Sequence, residues 1–452
     1  MVAIKKIISK MSAIQLVMLS FLMVVIIGSV LLKLPVSSAT GKSVPYVDAL
    51  FTATTATCVT GLVTVPTVST WSVFGQSVIL VLIQIGGLGV ITVIAGFMML
   101  FQRKFDLGDR TVISESLNMN AIGGIVDFVK KVLLLTFIIE AIGALLYMTV
   151  FVPEFGAKGI WISVFTSISA FCNAGIDIIG NNSLCDYVLN PVVNVTTMLL
   201  IISGGLGFVV WFEIGKMLQK KKSKGVKFLS LHSKIALSVT AVLILLGTVL
   251  ILLFEYNNPD TIGKYTFSQK IMASLFQSVT IRTAGFASID QGGFTDVSAL
   301  VSMLFMFIGG SPVGTAGGIK TVTFFVLLIS AVSVIRNKRT IDVFNRQIAV
   351  DALKRSIAVF TISFLTVVVS TVLLAALGEG SFIDIMYETV SATATVGLSR
   401  NLTAGLSMAG KFVIILTMYL GRVGPVSLAF AFSINRSREN LVENPVEKIN
   451  IG

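Results

Sequence analysis

Four short runs of small and hydroxylated residues, each ending at a glycine, recur along the chain at almost equal intervals. The glycines are Gly61, Gly175, Gly285 and Gly397, and they are separated by 114, 110 and 112 residues. A constant period of this kind indicates an internal repeat. The chain is therefore predicted to contain four copies of one unit, each built around a run that ends at a glycine.

The chemistry that these runs could perform belongs to their backbone. A glycine can adopt conformations that other residues avoid, and we expect an extended backbone of three or four residues before each one. Four such segments around one axis would present rings of carbonyl oxygens, which replace the hydration shell of potassium in potassium-channel filters. The alternative is that these are four ordinary helix-breaking glycines in tight turns. The predicted ligands, called here the four filter segments, are the main-chain oxygens of Cys58, Val59, Thr60 and Gly61; Cys172, Asn173, Ala174 and Gly175; Arg282, Thr283, Ala284 and Gly285; and Ala394, Thr395, Val396 and Gly397.

Hydropathy outlines the elements that must position these segments. Apolar runs of roughly 20 residues or more can cross a bilayer as helices. Outer helices are predicted at 14–32, 130–152, 233–254 and 355–377, and inner helices at 73–101, 191–217, 298–334 and 409–433. Between them, a pore helix with its filter at 47–61 and shorter runs at 159–172, 267–281 and 382–394 are too short to cross, so they should enter the bilayer halfway.

Composition places the chain in a membrane. Hydrophobic residues make up 55% of it and charged residues 12%, with a mean hydropathy of +0.93, whereas about a quarter of the residues of a soluble domain are charged. The net charge of +12 does not indicate nucleic-acid binding, because the basic residues lie between apolar spans. An enzyme is not expected either, since one histidine and three cysteines without metal or redox spacing provide no catalytic constellation.

The basic residues also predict the orientation. With the N-terminus inside, 24 of the 34 lysines and arginines fall in cytoplasmic stretches, as the positive-inside rule requires. Both termini are therefore placed in the cytoplasm of a multi-pass plasma-membrane protein. The predicted fold is all-α, with eight spanning helices and four half-crossing pore helices around a central pore. Its repeats are 1–101, 102–217, 218–334 and 335–435, followed by a cytoplasmic tail at 436–452.

Motifs beside the filter segments carry a family resemblance. They read Gln-Ile-Gly-Gly-Leu-Gly at 84–89, Asn-Ala-Gly at 173–175, Arg-Thr-Ala-Gly-Phe at 282–286 and Gly-Arg-Val-Gly-Pro at 421–425. Because these motifs occur in this order and at these spacings, the chain resembles the Trk/Ktr/HKT superfamily of potassium transporters, most closely the bacterial Ktr-type membrane subunit. The resemblance covers nearly the whole chain.

The resemblance implies potassium uptake through a channel-like filter, with the potassium ion as substrate and no covalent cofactor. Serine in place of the first filter glycine is associated with sodium selectivity in the superfamily, and here that residue is Gly61. Ktr-type subunits form homodimers with one pore per chain, work with a cytosolic ring of nucleotide-binding subunits, and commonly depend on sodium. A sodium-conducting or ion-symporting relative of the same fold is the alternative function.

A second site is expected in the third inner helix, where five glycines and a proline interrupt an apolar run. A helix would lose about 1 kcal/mol at each glycine and about 3 at the proline, so we predict a broken helix with a loop at 309–318. A kinked helix packed through its glycines is the alternative. In the family this loop is the gate, and its predicted residues are Gly309, Gly310, Ser311, Pro312, Gly314, Thr315, Gly317 and Gly318, with Lys320 and Arg422.

Two arginines, Arg282 and Arg422, are predicted within the membrane, where burial of a charge is unfavourable. Resemblance places Arg422 below the filter beside the gating loop, and the alternative is a salt bridge to Glu140 or Glu213 that only fixes packing. The side chain of Arg282 should point away from the pore and hold a carboxylate or carbonyls behind the filter. The candidate carboxylates are Asp177, Glu388 and Asp290, which could also raise the local cation concentration at the outer mouth.

Overall fold

Long apolar helices form the frame of the protein. The computed structural model describes residues 13–100, 110, 113–114, 124–219, 229–338 and 340–424. Four described helices are long and apolar enough to cross a membrane, and five are if one bent pair is counted as a single span. All four coincide with predicted outer helices. They are Ala13–Lys33, Ile125–Phe155, Leu231–Glu255 and Val350–Leu377.

A shorter helix follows each long one and packs against it. These four short helices have 13 to 15 residues, which gives them a length of about 20 Å at 1.5 Å per residue, less than the thickness of a bilayer core. They begin and end close to the predicted positions. They are Tyr46–Cys58, Ala157–Phe171, Phe267–Thr280 and Phe382–Ala394.

The predicted inner helices are more broken than expected. The third is interrupted as predicted, but the first and second are not continuous. The first breaks at Gly89 (φ +86°), and the second breaks before Gly207 (φ +85°), where its two halves are bent by 98°. The continuation of the fourth to residue 433 lies outside the described residues. The bounds are Val73–Leu88 with Val90–Leu100, Pro191–Gly205 with Phe208–Gln219, Asp296–Phe307 with Thr321–Ile335, and Met408–Val423.

A small β-hairpin before the last long helix was not predicted. Strands Asp342–Val343 and Arg346–Gln347 pair antiparallel. The turn residues Phe344 and Asn345 both have positive φ values of 50° and 61°, as a two-residue hairpin turn of the primed type requires. Asn often adopts that conformation but Phe rarely does. The sequence therefore has a typical turn residue at only one of the two positions. A single-turn helix, Thr67–Thr70, and 3₁₀ turns at Pro35–Ser37, Cys185–Tyr187 and Thr403–Gly405 complete the described elements.

Polarity is distributed as expected for a protein in lipid. The long helices expose large apolar side chains, among them Leu145, Leu245 and Leu253, each about two-thirds exposed. The short helices are buried, although they are rich in hydroxyl groups; Thr54, Thr55 and Thr57 are completely inaccessible. An apolar exterior around a buried hydroxylated centre is compatible with a bilayer and directs attention to the ends of the short helices.

Candidate functional site

The four filter glycines meet at one place although more than 100 residues separate each from the next. A β-carbon built on Gly61 would lie 3.2 Å from the Cα of Gly397 and 3.4 Å from that of Gly175. A β-carbon on Gly285 would lie 3.1 Å from the Cα of Gly175 and 3.4 Å from that of Gly397. The chain therefore brings all four glycines around one centre.

The approach between neighbours follows a cyclic order. A β-carbon on each glycine would face the carbonyl oxygen of the residue that precedes the next glycine, and the last glycine faces the first segment. The four carbonyls belong to residues predicted as filter ligands. The contacts are Gly61 with Ala174 O (2.6 Å), Gly175 with Ala284 O (2.6 Å), Gly285 with Val396 O (2.5 Å) and Gly397 with Thr60 O.

The backbone of the filter segments is not the extended run that we expected. The short helices Tyr46–Cys58 and Phe382–Ala394 continue to the third residue before the glycine, and Cys172 is also right-handed. In all four segments the next residue is left-handed, and the glycine again has positive φ. The left-handed residues are Val59, Asn173, Thr283 and Thr395, with φ between 50° and 67°. Three of them are β-branched, and strain of this kind concentrates at functional sites.

The side chain of Arg282 points to the interrupted third inner helix. Its Nη2 donates a hydrogen bond of 3.1 Å to the carbonyl oxygen of Gly309. Among the residues that the structure describes, Arg282 has no carboxylate within ion-pair distance. Of the two expectations, a carbonyl rather than Asp177, Glu388 or Asp290 is therefore its partner.

The candidate acids have other partners nearby. Glu388 is fully buried and accepts hydrogen bonds from the hydroxyls of Ser399 (2.6 Å) and Thr403. Asp290 caps the backbone N–H of Gly292 at 3.0 Å. Desolvation raises the pKa of Asp177, in the loop after the second filter segment, to about 6. Its carboxylate accepts the backbone N–H of Ile179 at 3.4 Å.

The predicted gating loop lies directly against the filter segments. The backbone N–H of Gly317 donates to Thr283 Oγ1 at 3.2 Å, and a β-carbon on Gly317 would collide with Thr395 Oγ1. The hydroxyl of Thr315 donates to the carbonyl oxygen of Phe171 at 3.0 Å. The loop thus contacts the ends of three short helices.

The break in the second inner helix also holds this loop. The N–H of Ser311 donates to Gly205 O at 2.8 Å, and the N–H of Thr315 donates to Gly204 O at 3.1 Å. These carbonyls belong to the last turn of a helix, where they lack partners within the helix. Loop and break therefore satisfy each other's backbone groups.

Arg422 contacts the same loop. Its guanidinium donates to the carbonyl oxygen of Thr315 at 2.7 Å and to those of Gly86 and Gly87 in the first inner helix. Lys320 folds back on the loop, where its Nζ donates to Ala316 O at 2.6 Å.

The alternative for Arg422, a salt bridge to Glu140 or Glu213, is not formed within the described residues. Glu140 is paired instead with the amide of Gln84 at 3.1 Å. Glu213 accepts the backbone N–H of Ser230 at 2.9 Å. Both carboxylates therefore have other partners, and among the described residues the guanidinium of Arg422 donates its hydrogen bonds to backbone carbonyls.

Comparison with known proteins assigns the chain to a family. Residues 8–444 match the family model of TrkH, described as a cation transport protein. The chain belongs to the TrkH family.

Relatives of known description cover the chain almost completely. It is 39% identical over 454 residues to the potassium/sodium uptake protein NtpJ of Enterococcus hirae, with 99% of each chain covered. It is 40% identical over 420 residues to the Ktr system potassium uptake protein B of Bacillus subtilis, covering 93% of this chain and 92% of the relative. The crystal structure of the potassium transporter TrkH from Vibrio parahaemolyticus superposes with a TM-score of 0.71 at 17% identity, over 92% of this chain and 84% of that one, which supports the fold. The predicted resemblance is therefore confirmed. The prediction that the chain is a helical, multi-pass membrane protein is confirmed as well.

Two ion pairs of this TrkH-family chain were missed by sequence reasoning. Lys411 of the last inner helix pairs with Asp48 at 2.7 Å, and Arg400 pairs with Asp384 at 2.8 Å. Asp48 and Asp384 both lie thirteen residues before a filter glycine, in the first turn of a short helix. That shared position is a sequence signal for two equivalent acids. The partner Lys411, 363 residues away from Asp48, could not have been found from the sequence.

Proposed function

We propose that this protein takes up potassium across the cell membrane through a filter made of the backbone carbonyls of the four filter segments. The observation that carries the proposal is the cyclic contact of the four glycines, in which each faces a carbonyl of the next segment. Rings of carbonyl oxygens can replace the hydration shell of a potassium ion. Ions would move down their electrochemical gradient, and no chemical step is involved.

The proposed architecture is the one expected from the repeats. Four units, 1–101, 102–217, 218–334 and 335–435, each contribute an outer helix, a half-crossing pore helix, a filter segment and an inner helix around a pseudo-four-fold axis. The interrupted inner helices count as single crossings, which gives eight. With both termini cytoplasmic, the tail at 436–452 would lie inside the cell.

The loop at 309–318 is proposed as the gate, with Lys320 and Arg422. It lies against the filter segments, and its backbone is bound by the guanidinium of Arg422 through Thr315 O. Five glycines allow close backbone approach and movement. Releasing these contacts would let the loop leave the pathway.

Partners are proposed on the Ktr-type resemblance. The name of the Bacillus relative refers to a Ktr system, which supports a membrane subunit that works with further components. We propose a homodimer with one pore per chain and a cytosolic ring of nucleotide-binding subunits, with sodium as an activator. A basic stretch at 220–227, whose lysines could bind anionic lipids or such a partner, lies outside the described residues.

A sodium-conducting relative is the second candidate, because the Enterococcus relative is described as a potassium/sodium uptake protein. Rubidium uptake in potassium-deficient cells and potassium flux into liposomes that contain the purified protein would separate the two. We expect potassium to compete strongly with rubidium and sodium to compete weakly. Equal competition by sodium would favour the second candidate, and the absence of cation flux with and without sodium would contradict both.

A further inference from the structure

Two filter segments are held from behind by a hydroxyl that lies six residues before the glycine. Thr55 Oγ1 accepts the backbone N–H of Gly61 at 3.0 Å, and Ser391 Oγ accepts the N–H of Gly397 at 3.0 Å. Both hydroxyl-bearing residues are buried in short helices. The two bonds occupy equivalent positions in different parts of the chain.

The second segment has the same arrangement with a shift of one peptide. Ser169, also six residues before its glycine, accepts the N–H of Ile176 at 3.1 Å and donates to the carbonyl oxygen of that residue at 2.5 Å. The main-chain oxygens of all three residues also bind the segment, one residue before the glycine. These backbone bonds are Thr60 N–H to Thr55 O, Ala174 N–H to Ser169 O and Val396 N–H to Ser391 O, each 2.8 Å.

The third segment departs from this arrangement. Val279 occupies the position six residues before Gly285, and the neighbouring hydroxyl of Thr280 donates to Phe286 O at 2.6 Å. The gating loop contacts this segment instead, through the bond from the Gly317 N–H to Thr283 Oγ1. A hydroxyl six residues before the glycine is thus present in three of the four segments.

The geometry of the peptide bond explains what these hydroxyls do. In a trans peptide the N–H and the preceding C=O are in one plane and point in opposite directions. The N–H of Gly61 points toward its own short helix, where Thr55 accepts it. The carbonyl of Thr60 in the same peptide must therefore point the opposite way, toward the other filter segments. That carbonyl is the one that faces Gly397 in the cyclic contact. Ser391 fixes the carbonyl of Val396 in the same way.

This use of a hydroxyl is not the ordinary one in a helix. Helical threonines usually donate to the carbonyl one turn earlier, as Thr54 does to Leu50 O at 2.8 Å. Thr55 and Ser391 accept hydrogen bonds from beyond the end of the helix instead. Thr54 is equally buried and precedes Thr55 directly, so it is a matched control for the loss of a threonine hydroxyl.

We propose that Thr55, Ser169 and Ser391 are specificity-determining positioning residues, whose hydroxyls hold the filter peptides so that their carbonyls face the ion. The proposal rests on the proposed potassium pathway and deepens it. Loss of one hydroxyl would free a peptide to rotate, and the carbonyl ring would then fit ions of different size more equally. Selectivity should therefore change, whereas a purely structural role would change only the amount of folded protein.

The test compares Thr55→Val, Thr55→Ser and Thr54→Val in liposomes, with the potassium-to-sodium flux ratio as the readout. We expect Thr55→Val to lower the ratio about tenfold, the effect of losing one hydrogen bond of ordinary strength. Thr55→Ser, which keeps the hydroxyl, and Thr54→Val should both retain the ratio.

Ser391→Ala, with Ser391→Thr as its rescue, provides the same comparison if Thr55→Val does not fold. An unchanged ratio in a folded variant without the hydroxyl would overturn the inference and leave the potassium pathway intact. So would an equal loss in Thr54→Val. Wild-type protein that carries no potassium would overturn both.

Discussion

Replacement of Gly61 by serine is the sharpest perturbation of the proposed filter. The backbone there has φ of +103°, a conformation that side chains rarely adopt. A β-carbon would also lie 2.6 Å from the carbonyl oxygen of Ala174 and 3.2 Å from the Cα of Gly397. Because both neighbours are backbone atoms of adjacent filter segments, the new side chain can be accommodated only if the ring of segments moves.

The size of the effect follows from the strain. A left-handed conformation costs a non-glycine residue about 1–2 kcal/mol, and the approach to Ala174 O adds to it. If the ring relaxes by widening or by rotating a peptide, we expect about 2 kcal/mol of the preference for potassium to be lost. At 1.36 kcal/mol for each factor of ten, this is a decrease of roughly 30-fold in selectivity.

The assay is the potassium-to-sodium flux ratio in liposomes, measured for wild type, Gly61→Ser and Gly405→Ser. Gly405 is an exposed glycine without positive φ, and a β-carbon there would meet nothing within 4 Å. The control should therefore behave as wild type. A folded Gly61→Ser protein with the wild-type ratio would refute the reasoning, because it would mean that the carbonyls around Gly61 do not select the ion.

Two further predictions concern the gating loop. Arg422→Gln should raise basal potassium flux in liposomes without the regulatory partner, because the guanidinium bonds to Thr315 O and Gly86 O are lost; flux at or below the wild-type level would argue against a restraining role. Gly317→Ala should destabilise the folded protein by about 1–3 kcal/mol through overpacking against Thr395, measured as a lower midpoint of thermal unfolding in detergent. Gly215→Ala, where a β-carbon would meet nothing within 4 Å, should not change the midpoint, and an equal midpoint for Gly317→Ala would contradict the described packing.

Much of the frame could be predicted because crossing a membrane sets the length and hydropathy of a helix. The predicted span 233–254 became Leu231–Glu255, and the predicted short helix 382–394 became Phe382–Ala394. The bend in the second inner helix could not be predicted, because its cause is remote in sequence. At that bend, Gly207 lies against the carbonyl of Pro312, and the N–H of Phe208 donates to Val313 O.

The convergence of the four glycines was predictable from the sequence, but the backbone conformation around them was not. Equal spacing identified the filter glycines, since a repeat leaves a period in the sequence. The left-handed residues Val59, Thr283 and Thr395 carried no such signal, because β-branched side chains are rare in that conformation. The partners of Arg282 and Arg422 are backbone carbonyls, which every residue offers. No residue type could therefore mark them.

Three inner helices pack against the filter segments in the same way. In three inner helices a glycine lies directly against a carbonyl four residues before a filter glycine, where any side chain would collide. The pairs are Gly86 with Thr57 O, Gly204 with Phe171 O, and Gly421 with Thr393 O. Each contact lets an inner helix approach the end of a short helix, and glycines weaken the inner helix at that level. In the third inner helix, Gly317 of the interrupting loop faces a carbonyl of the fourth filter segment, Ala394 O, at 2.7 Å. The packing beside the filter segments therefore requires glycines in the inner helices, and the loop at 309–318, which holds five of them, is the segment proposed to move.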